Sequence, residues 1–257
     1  MTTTFDRFHH LVRVPVRVGG DEYRFLIDTG IGITVVSSEV AGRADVRATV
    51  ETMSGRRMSG QEVHAPLVRL PSLSLGEHRV EGHLAGVADL GDGFAGILGP
   101  DFYAGLALCV DPAAMTVDFV DPGAAQGWEV PLQVRHENRT VDAFVTLTLP
   151  SGREVSVEVD TGSDNLILDT RFAGDCGIDL DGPEVTTKTG TDETGYEWTR
   201  HWATVRGSVH LAAAPDTAQA GARVHFQEII YDGLIGSDYL DRYCYTMDFD
   251  GGRMFLR

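Results

Sequence analysis

The sequence predicts an all-β protein of two barrel-like lobes related by a pseudo-twofold axis, with a cleft between them. Three observations predict it. Short runs rich in Val, Ile, Leu and Thr alternate with Gly, Pro and Asp, the pattern of strands joined by tight turns. Two sequence blocks each occur twice, in the same order and at nearly equal offsets. A stretch of linker composition, Asp121 to Gly127, lies at the midpoint of the 257 residues.

The first block, Gly20 to Gly42, aligns without gaps on Gly152 to Gly174, an offset of 132. Glu22 falls on Glu154, Asp28-Thr29-Gly30 on Asp160-Thr161-Gly162, and Ala41-Gly42 on Ala173-Gly174. The second block, Gly96-Ile97-Leu98-Gly99-Pro100-Asp101-Phe102, falls on Gly233-Leu234-Ile235-Gly236-Ser237-Asp238-Tyr239, an offset of 137. A surface hairpin readily absorbs the five residues by which the offsets differ. The expected lobes are residues 1–122 and 123–257, each carrying one Asp-Thr-Gly.

Each half reads as strands. Val12, Val14, Val16 and Val18 alternate along Leu11 to Val18, which predicts one buried face. Gly19-Gly20-Asp21 signals a turn, and Tyr23 to Ile27 is a second strand running into Asp28. The second half repeats this with Phe144 to Leu149, the turn Pro150-Ser151-Gly152, and Glu154 to Val159. After each Asp-Thr-Gly comes a short apolar strand, Ile33 to Val36 and Leu166 to Leu168. One helical turn is expected after each, at Ser38 to Ala41 and Thr170 to Ala173. Between the repeated blocks lies a hairpin: Val50 to Met53, a turn at Ser54-Gly55-Arg56-Arg57, and a return from Met58. Its counterpart runs through Gly190 to Trp202.

Composition narrows the function. A hydrophobic content of 42% is enough for a sizeable core. The formal charge of −17 repels phosphate backbones and anionic lipid, which argues against nucleic acid and membrane surfaces as partners. No apolar run approaches the length of a membrane span, and Met1 to His10 has no apolar core of the signal-peptide kind, so a cytoplasmic location is expected. Three widely spaced cysteines, Cys109, Cys176 and Cys244, read as reduced and packed, not as a disulfide framework or a zinc site.

The chemistry rests on the repeated Asp-Thr-Gly. A single copy is a turn beginning with Asp. Two copies at matched positions let a pseudo-twofold axis bring Asp28 and Asp160 face to face. Two carboxyls in contact cannot both ionise cheaply, so they share one proton and titrate as a unit. The ionised member can take a proton from a water while the protonated member donates to a carbonyl oxygen. Such a pair needs neither a metal nor a cofactor, and it is complete in a monomer.

These motifs resemble the aspartic protease superfamily, pepsin-like and retropepsin-like, over about Leu11 to Leu256. The resemblance implies a pepsin-like fold and an endopeptidase that acts on a peptide or protein. It implies that Asp28 and Asp160 are catalytic, that Thr29 and Thr161 lock the two loops by crossed hydrogen bonds, and that Gly30 and Gly162 donate backbone N–H groups to the carboxyls. Ser163 joins this supporting set. The hairpin of Met53, Ser54, Gly55 and Arg56 would be a flap over the substrate, with Gly55 at its tip. Three departures mark the chain. Its lobes are compact, its first hairpin lacks the Tyr usual in pepsins, and Ile31 stands where a Ser or Thr is usual. A long pro-segment before Leu11 is not expected.

Ser163 and Ile31 predict an asymmetric pair. A Ser163 hydroxyl donating to Asp160 would favour its ionisation, whereas Ile31 offers Asp28 nothing. Asp160 is then expected as the base and Asp28 as the acid, with activity at mildly acidic to neutral pH. Tyr196, Trp198, His201 and Trp202 lie in the second hairpin, where Tyr196 and Trp198 either line the cleft as a second cover or cap the lobe core. Gly91 to Gly96 fits a dinucleotide glycine pattern but lacks the strand and helix that pattern needs. Asn138-Arg139-Thr140 would accept a glycan only in a secreted protein, and His9-His10 is expected to be solvated. Two further uses of the same fold remain open. One is acid–base chemistry on a small molecule, and the other is a peptide-binding module that does not cut.

Overall fold

The computed structural model describes residues 2–91, 93–191 and 197–257, and most of its regular structure is strand. Leu11–Val18 pairs antiparallel with Asp21–Ile27, with Val12 opposite Ile27 and Val18 opposite Asp21. The four valines are buried while the residues between them are partly or fully exposed. The period-2 pattern has produced the half-buried strand that the pleat requires. The helical turn at Ser38–Ala41 forms as expected, capped by Ser37, whose hydroxyl accepts from the Val40 N–H.

One ten-stranded sheet runs in the order Arg47–Arg56, Glu62–Arg69, Leu84–Ala88, Val35–Ser37, Gly96–Leu98, Asp21–Ile27, Leu11–Val18, Ser72–Leu75, His78–Glu81. Asp6–Phe8 pairs additionally with Leu11–Val18. A second ten-stranded sheet has the matching order Thr186–Thr191, Glu197–Thr204, Arg223–Gln227, Leu166–Asp169, Gly233–Ile235, Glu154–Val159, Thr140–Thr148, Ser208–Leu211, Ala214–Ala220. Here Gln133–Glu137 is the additional partner, on Thr140–Thr148.

A six-stranded sheet joins the two. At its centre Ala107–Asp111 lies antiparallel to Tyr245–Asp248, with Leu108 opposite Met247, Cys109 opposite Thr246, and Val110 opposite Tyr245. Thr246 is the repeat equivalent of Cys109 at the offset of 137, so the pseudo-twofold axis passes through this pair. Residues 121–127 contain only a short 3-10 turn, Pro122–Ala124. No helix among the described residues is long and apolar enough to cross a membrane.

The arrangement that positions the site recurs in both halves. Gly96–Leu98 inserts between Asp21–Ile27, to which it is parallel, and Val35–Ser37, to which it is antiparallel. Gly233–Ile235 does the same between Glu154–Val159 and Leu166–Asp169. The glycines are required by close approach. A Cβ on Gly96 would lie 2.2 Å from the Phe25 ring, and one on Gly233 2.4 Å from the Ile167 carbonyl oxygen.

The first hairpin departs from expectation. Ser54 and Gly55 do not turn. They continue the strand Arg47–Arg56, with Gly55 opposite Val63. The turn comes at 57–61, where Arg57 N–H donates to the Gln61 carbonyl and Gly60 adopts φ 83°. Cross-strand pairing holds Ser54-Gly55 extended, and the next glycine takes the left-handed conformation that the turn demands.

Candidate active site

Asp28 and Asp160 each stand at the end of a strand, Asp21–Ile27 and Glu154–Val159. The inserted strand fixes each one. Asp28 N–H donates to the Leu98 carbonyl at 3.1 Å, and Asp160 N–H to the Ile235 carbonyl at 3.0 Å. The chain then reverses, so that Gly30 N–H donates to Asp28 Oδ1 and Gly162 N–H to Asp160 Oδ1, each at 2.8 Å. The two carboxyls face each other closely enough that each acts directly on the other's ionisation. Each also faces the other loop's glycine. A Cβ on Gly30 would lie 2.7 Å from Asp160 Cγ, and one on Gly162 2.4 Å from Asp28 Oδ2.

Thr29 and Thr161 sit directly behind this pair and are buried. Each backbone N–H donates to the other's hydroxyl oxygen at 3.1 Å. Each hydroxyl donates in turn across the axis, Thr29 to the Val159 carbonyl at 2.6 Å and Thr161 to the Ile27 carbonyl at 3.2 Å. A closed set of four hydrogen bonds thus ties the two loops together.

Burial pushes both carboxyls above the ordinary carboxylate range, Asp160 well above it. The imbalance runs opposite to the sequence expectation. Ser163 does not offer its hydroxyl to Asp160; that hydroxyl donates to the Asn165 carbonyl at 3.5 Å. Backbone donors flank both carboxyls instead. The N–H groups of Gly30, Ile31 and Gly162 stabilise a charge on Asp28, against those of Gly162 and Ser163 on Asp160. At Asp160 repulsion by Asp28 adds to burial, so the shared proton favours Asp160. Ile31 does supply a donor, through its backbone, which its side chain gave no reason to expect.

In the first hairpin Met53 and Gly55 face inward, and Ser54 and Arg56 are exposed. Met53 Sδ comes within 3.2 Å of the Cβ position of Gly86. The hairpin does not stand free. Ile230 N–H donates to the Met58 carbonyl at 2.8 Å, and Met58 packs against the cluster of Ile167 and Leu234, on the second sheet, and Ile229, between its strands. In the second hairpin Tyr196 lies outside the described residues. Trp198 lies over Gly190, where a Cβ would be 2.4 Å from its ring, and the Arg200 guanidinium stacks on it at 4.5 Å. Trp198, Arg200 and Trp202 alternate along one strand and share the face of His225, which is opposite Trp202.

Several residues of this region escaped the sequence reading. His10 is not simply solvated, because a ring nitrogen lies 3.0 Å from the Gly162 carbonyl. His225 is buried with both ring nitrogens unpaired among the described residues, and burial depresses it to about 4, so it is neutral. Glu158 is only 3% exposed, two residues before Asp160. An acid set between valines in Val155-Ser156-Val157-Glu158-Val159 was the available signal.

Comparison with known proteins agrees with this geometry. Residues 14–102 match the family described as aspartyl protease. No curated protein sequence matches the chain. Among solved structures, the aspartic proteinase from Irpex lacteus is similar with a TM-score of 0.60 at 16% identity, over 100% of this chain and 96% of that one. The family match is confined to residues 14–102, and over its whole length the chain has the fold of a pepsin-like aspartic proteinase.

Proposed function

We propose that this protein is an aspartic endopeptidase whose catalytic pair is Asp28 and Asp160. The observation that carries the reading is the pair of carboxyls that the crossed threonines bring together, each under a glycine of the opposite loop. Such a pair holds one proton between pH values where isolated carboxyls hold none. Asp28, the less strongly raised of the two, is the ionised base that draws a proton from water. Asp160 is the acid that donates to the carbonyl oxygen of the scissile bond. The oxygen of that water bonds to the carbonyl carbon, a tetrahedral gem-diol forms, and the C–N bond breaks as the amine takes a proton. The crossed threonines supply rigidity, because the two carboxyls must keep their relative placement within a fraction of an ångström.

In this reading residues 1–122 and 123–257 are two lobes of one duplicated unit, and the site exists only where they meet. The hairpin through Met53 and Gly55 is a flap. Its contact with Ile230 must open to admit an extended peptide. The test is incubation with a random peptide library across pH 3–8, a span of a few units about the titration of such a pair. Wild type is expected to give defined internal cleavages. Asp28→Asn and Asp160→Asn should each abolish them while circular dichroism stays that of a folded β-protein. Residual cleavage in either variant would sink the assignment.

A further inference from the structure

The two faces that flank the carboxyl pair differ in chemistry. Residues directly opposite on neighbouring strands point to the same side of a sheet. On the second sheet one such row is Phe144, Glu158, Leu234, Ile167, His225 and Trp202. The equivalent row on the first sheet is Leu26, Ile97, Val35, Gly86 and Leu67. Both rows lie opposite the main core, which takes the alternate residues Phe25, Ile27, Val36 and Leu98, and their equivalents Val157, Val159, Leu168 and Ile235. The rows belong to the cleft side. Asp160 follows Glu158 by two positions, and Met58 of the hairpin packs onto Ile167 and Leu234.

Within this frame the offset of 132 places Glu158 where the first half has Leu26. The substitution is costly. Glu158 is 97% buried, by its 3% exposure, and its carboxyl receives no hydrogen bond among the described residues. Among the described residues, the charged groups that act on it most are Asp160, Asp142, Asp28 and the cation Arg135, whose guanidinium stacks on the Phe144 ring at 3.8 Å. Burial and this crowd of acids push Glu158 well above its ordinary range. A buried carboxyl without a partner is unfavourable, and one that meets a cation with N–H donors is not.

We propose that Glu158 sets substrate choice. A lysine or arginine of the peptide enters beside it on the second sheet's face, and the residue across the scissile bond, on the first sheet's face, is apolar. The incoming ammonium or guanidinium supplies the counter-charge and the donors that the fold withholds. It displaces Met58 from that face as the hairpin opens. The formal charge of −17 favours the encounter with basic peptides. The first face offers only Leu26, Ile97, Val35 and Leu67 around Gly86, so it accepts apolar side chains.

This inference rests on the protease reading, and the experiment separates the two. Cleavage sites from a random peptide library are mapped by mass spectrometry for wild type, Glu158→Gln and Glu158→Leu. Wild type is expected to enrich Lys and Arg on one side of the scissile bond and apolar residues on the other. In matched peptides that differ only by Lys or Leu at that position, the ratio of kcat/KM should favour Lys. That ratio should fall by at least about thirtyfold in Glu158→Leu, the loss of a buried charge partner. Glu158→Gln, nearly isosteric, guards against a folding defect and should lose the Lys preference as well. In parallel, the binding of the two peptides to Asp28→Asn is measured by fluorescence anisotropy, with and without Glu158→Leu. If no peptide is cut but Lys peptides bind through Glu158, the protease reading fails and this one stands. Equal use of Lys and Leu by wild type, or a Lys preference that survives Glu158→Leu, overturns it.

Discussion

Replacing Thr161 by Val removes one hydroxyl and nearly preserves volume, so it isolates the crossed hydrogen bonds. Two of the four vanish. The Thr29 N–H loses its acceptor at 3.1 Å, and the Ile27 carbonyl loses its donor at 3.2 Å. Thr29 is 0% exposed and Thr161 4%, so water cannot replace either partner. Each buried group left unsatisfied costs about 1–3 kcal/mol, which gives about 2–6 kcal/mol for the pair. That is a large part of a typical stability of about 5–15 kcal/mol. Thr161→Ser keeps the hydroxyl and gives up a methyl group, a loss of about 1 kcal/mol. The assay is equilibrium unfolding in urea, comparing midpoints at unchanged slope. Thr29→Val removes the other two bonds, including the shorter one to Val159 at 2.6 Å, and should be at least as severe. If Thr161→Val is no worse than Thr161→Ser, the crossed bonds do not hold the two loops together.

Three further perturbations follow from the same geometry. Gly162→Ala places a Cβ 2.4 Å from Asp28 Oδ2, so kcat/KM should fall by at least about a hundredfold in a chain that remains folded; activity within a few-fold of wild type would contradict that placement. Glu158 sits above its ordinary value of 4.5, so the native chain keeps a proton that the unfolded chain releases as the pH rises past about that value. This contribution to stability is complete below it and is lost as the pH climbs toward the native value. Stability measured by denaturation should therefore decline less steeply with rising pH in Glu158→Gln, and an unchanged slope would refute the burial argument. Met58→Ala strips the contact with Ile167, Ile229 and Leu234, so the Ile230 amide, which donates to Met58, should exchange with solvent faster; unaltered protection would mean that the hairpin is held by other contacts.

The fold was legible because it repeats. Alternating valines in Leu11–Val18 and the two Gly-rich blocks encode the strand between strands that seats each Asp, and both halves carry the signal independently. The site's centre was legible for the same reason. Thr29 and Thr161 meet because their loops are equivalent. What failed were inferences from side chains where the backbone decides. Ser163 looked like the donor for Asp160, but its hydroxyl turns to the Asn165 carbonyl while amide groups do the work. Ser54-Gly55 looked like a turn, but pairing with Val63 and His64 keeps it extended. The contact of Met58 with Ile230 spans the two sheets, and no local pattern announces a meeting of that kind.

Two equivalent loops facing each other pose a problem that symmetry cannot solve. One shared proton needs a preferred owner if one carboxyl is to act as base and the other as acid. Here one departure bears on that preference. Ile31 N–H on the Asp28 side is matched by Ser163 N–H on the Asp160 side, so it decides nothing. Glu158 lies on the strand of Asp160, and its repulsion with that carboxyl disfavours charge on both. Leu26, in the equivalent place, exerts no such effect on Asp28. The residue that makes the second face selective therefore also biases the dyad. When a basic side chain pairs with Glu158, that carboxyl can ionise without the full cost of burial, because its counter-ion arrives with the substrate. The incoming cation also offsets the repulsion that Glu158 would otherwise exert on Asp160. Selectivity and proton placement are then two consequences of one departure from symmetry, Glu158 in place of leucine.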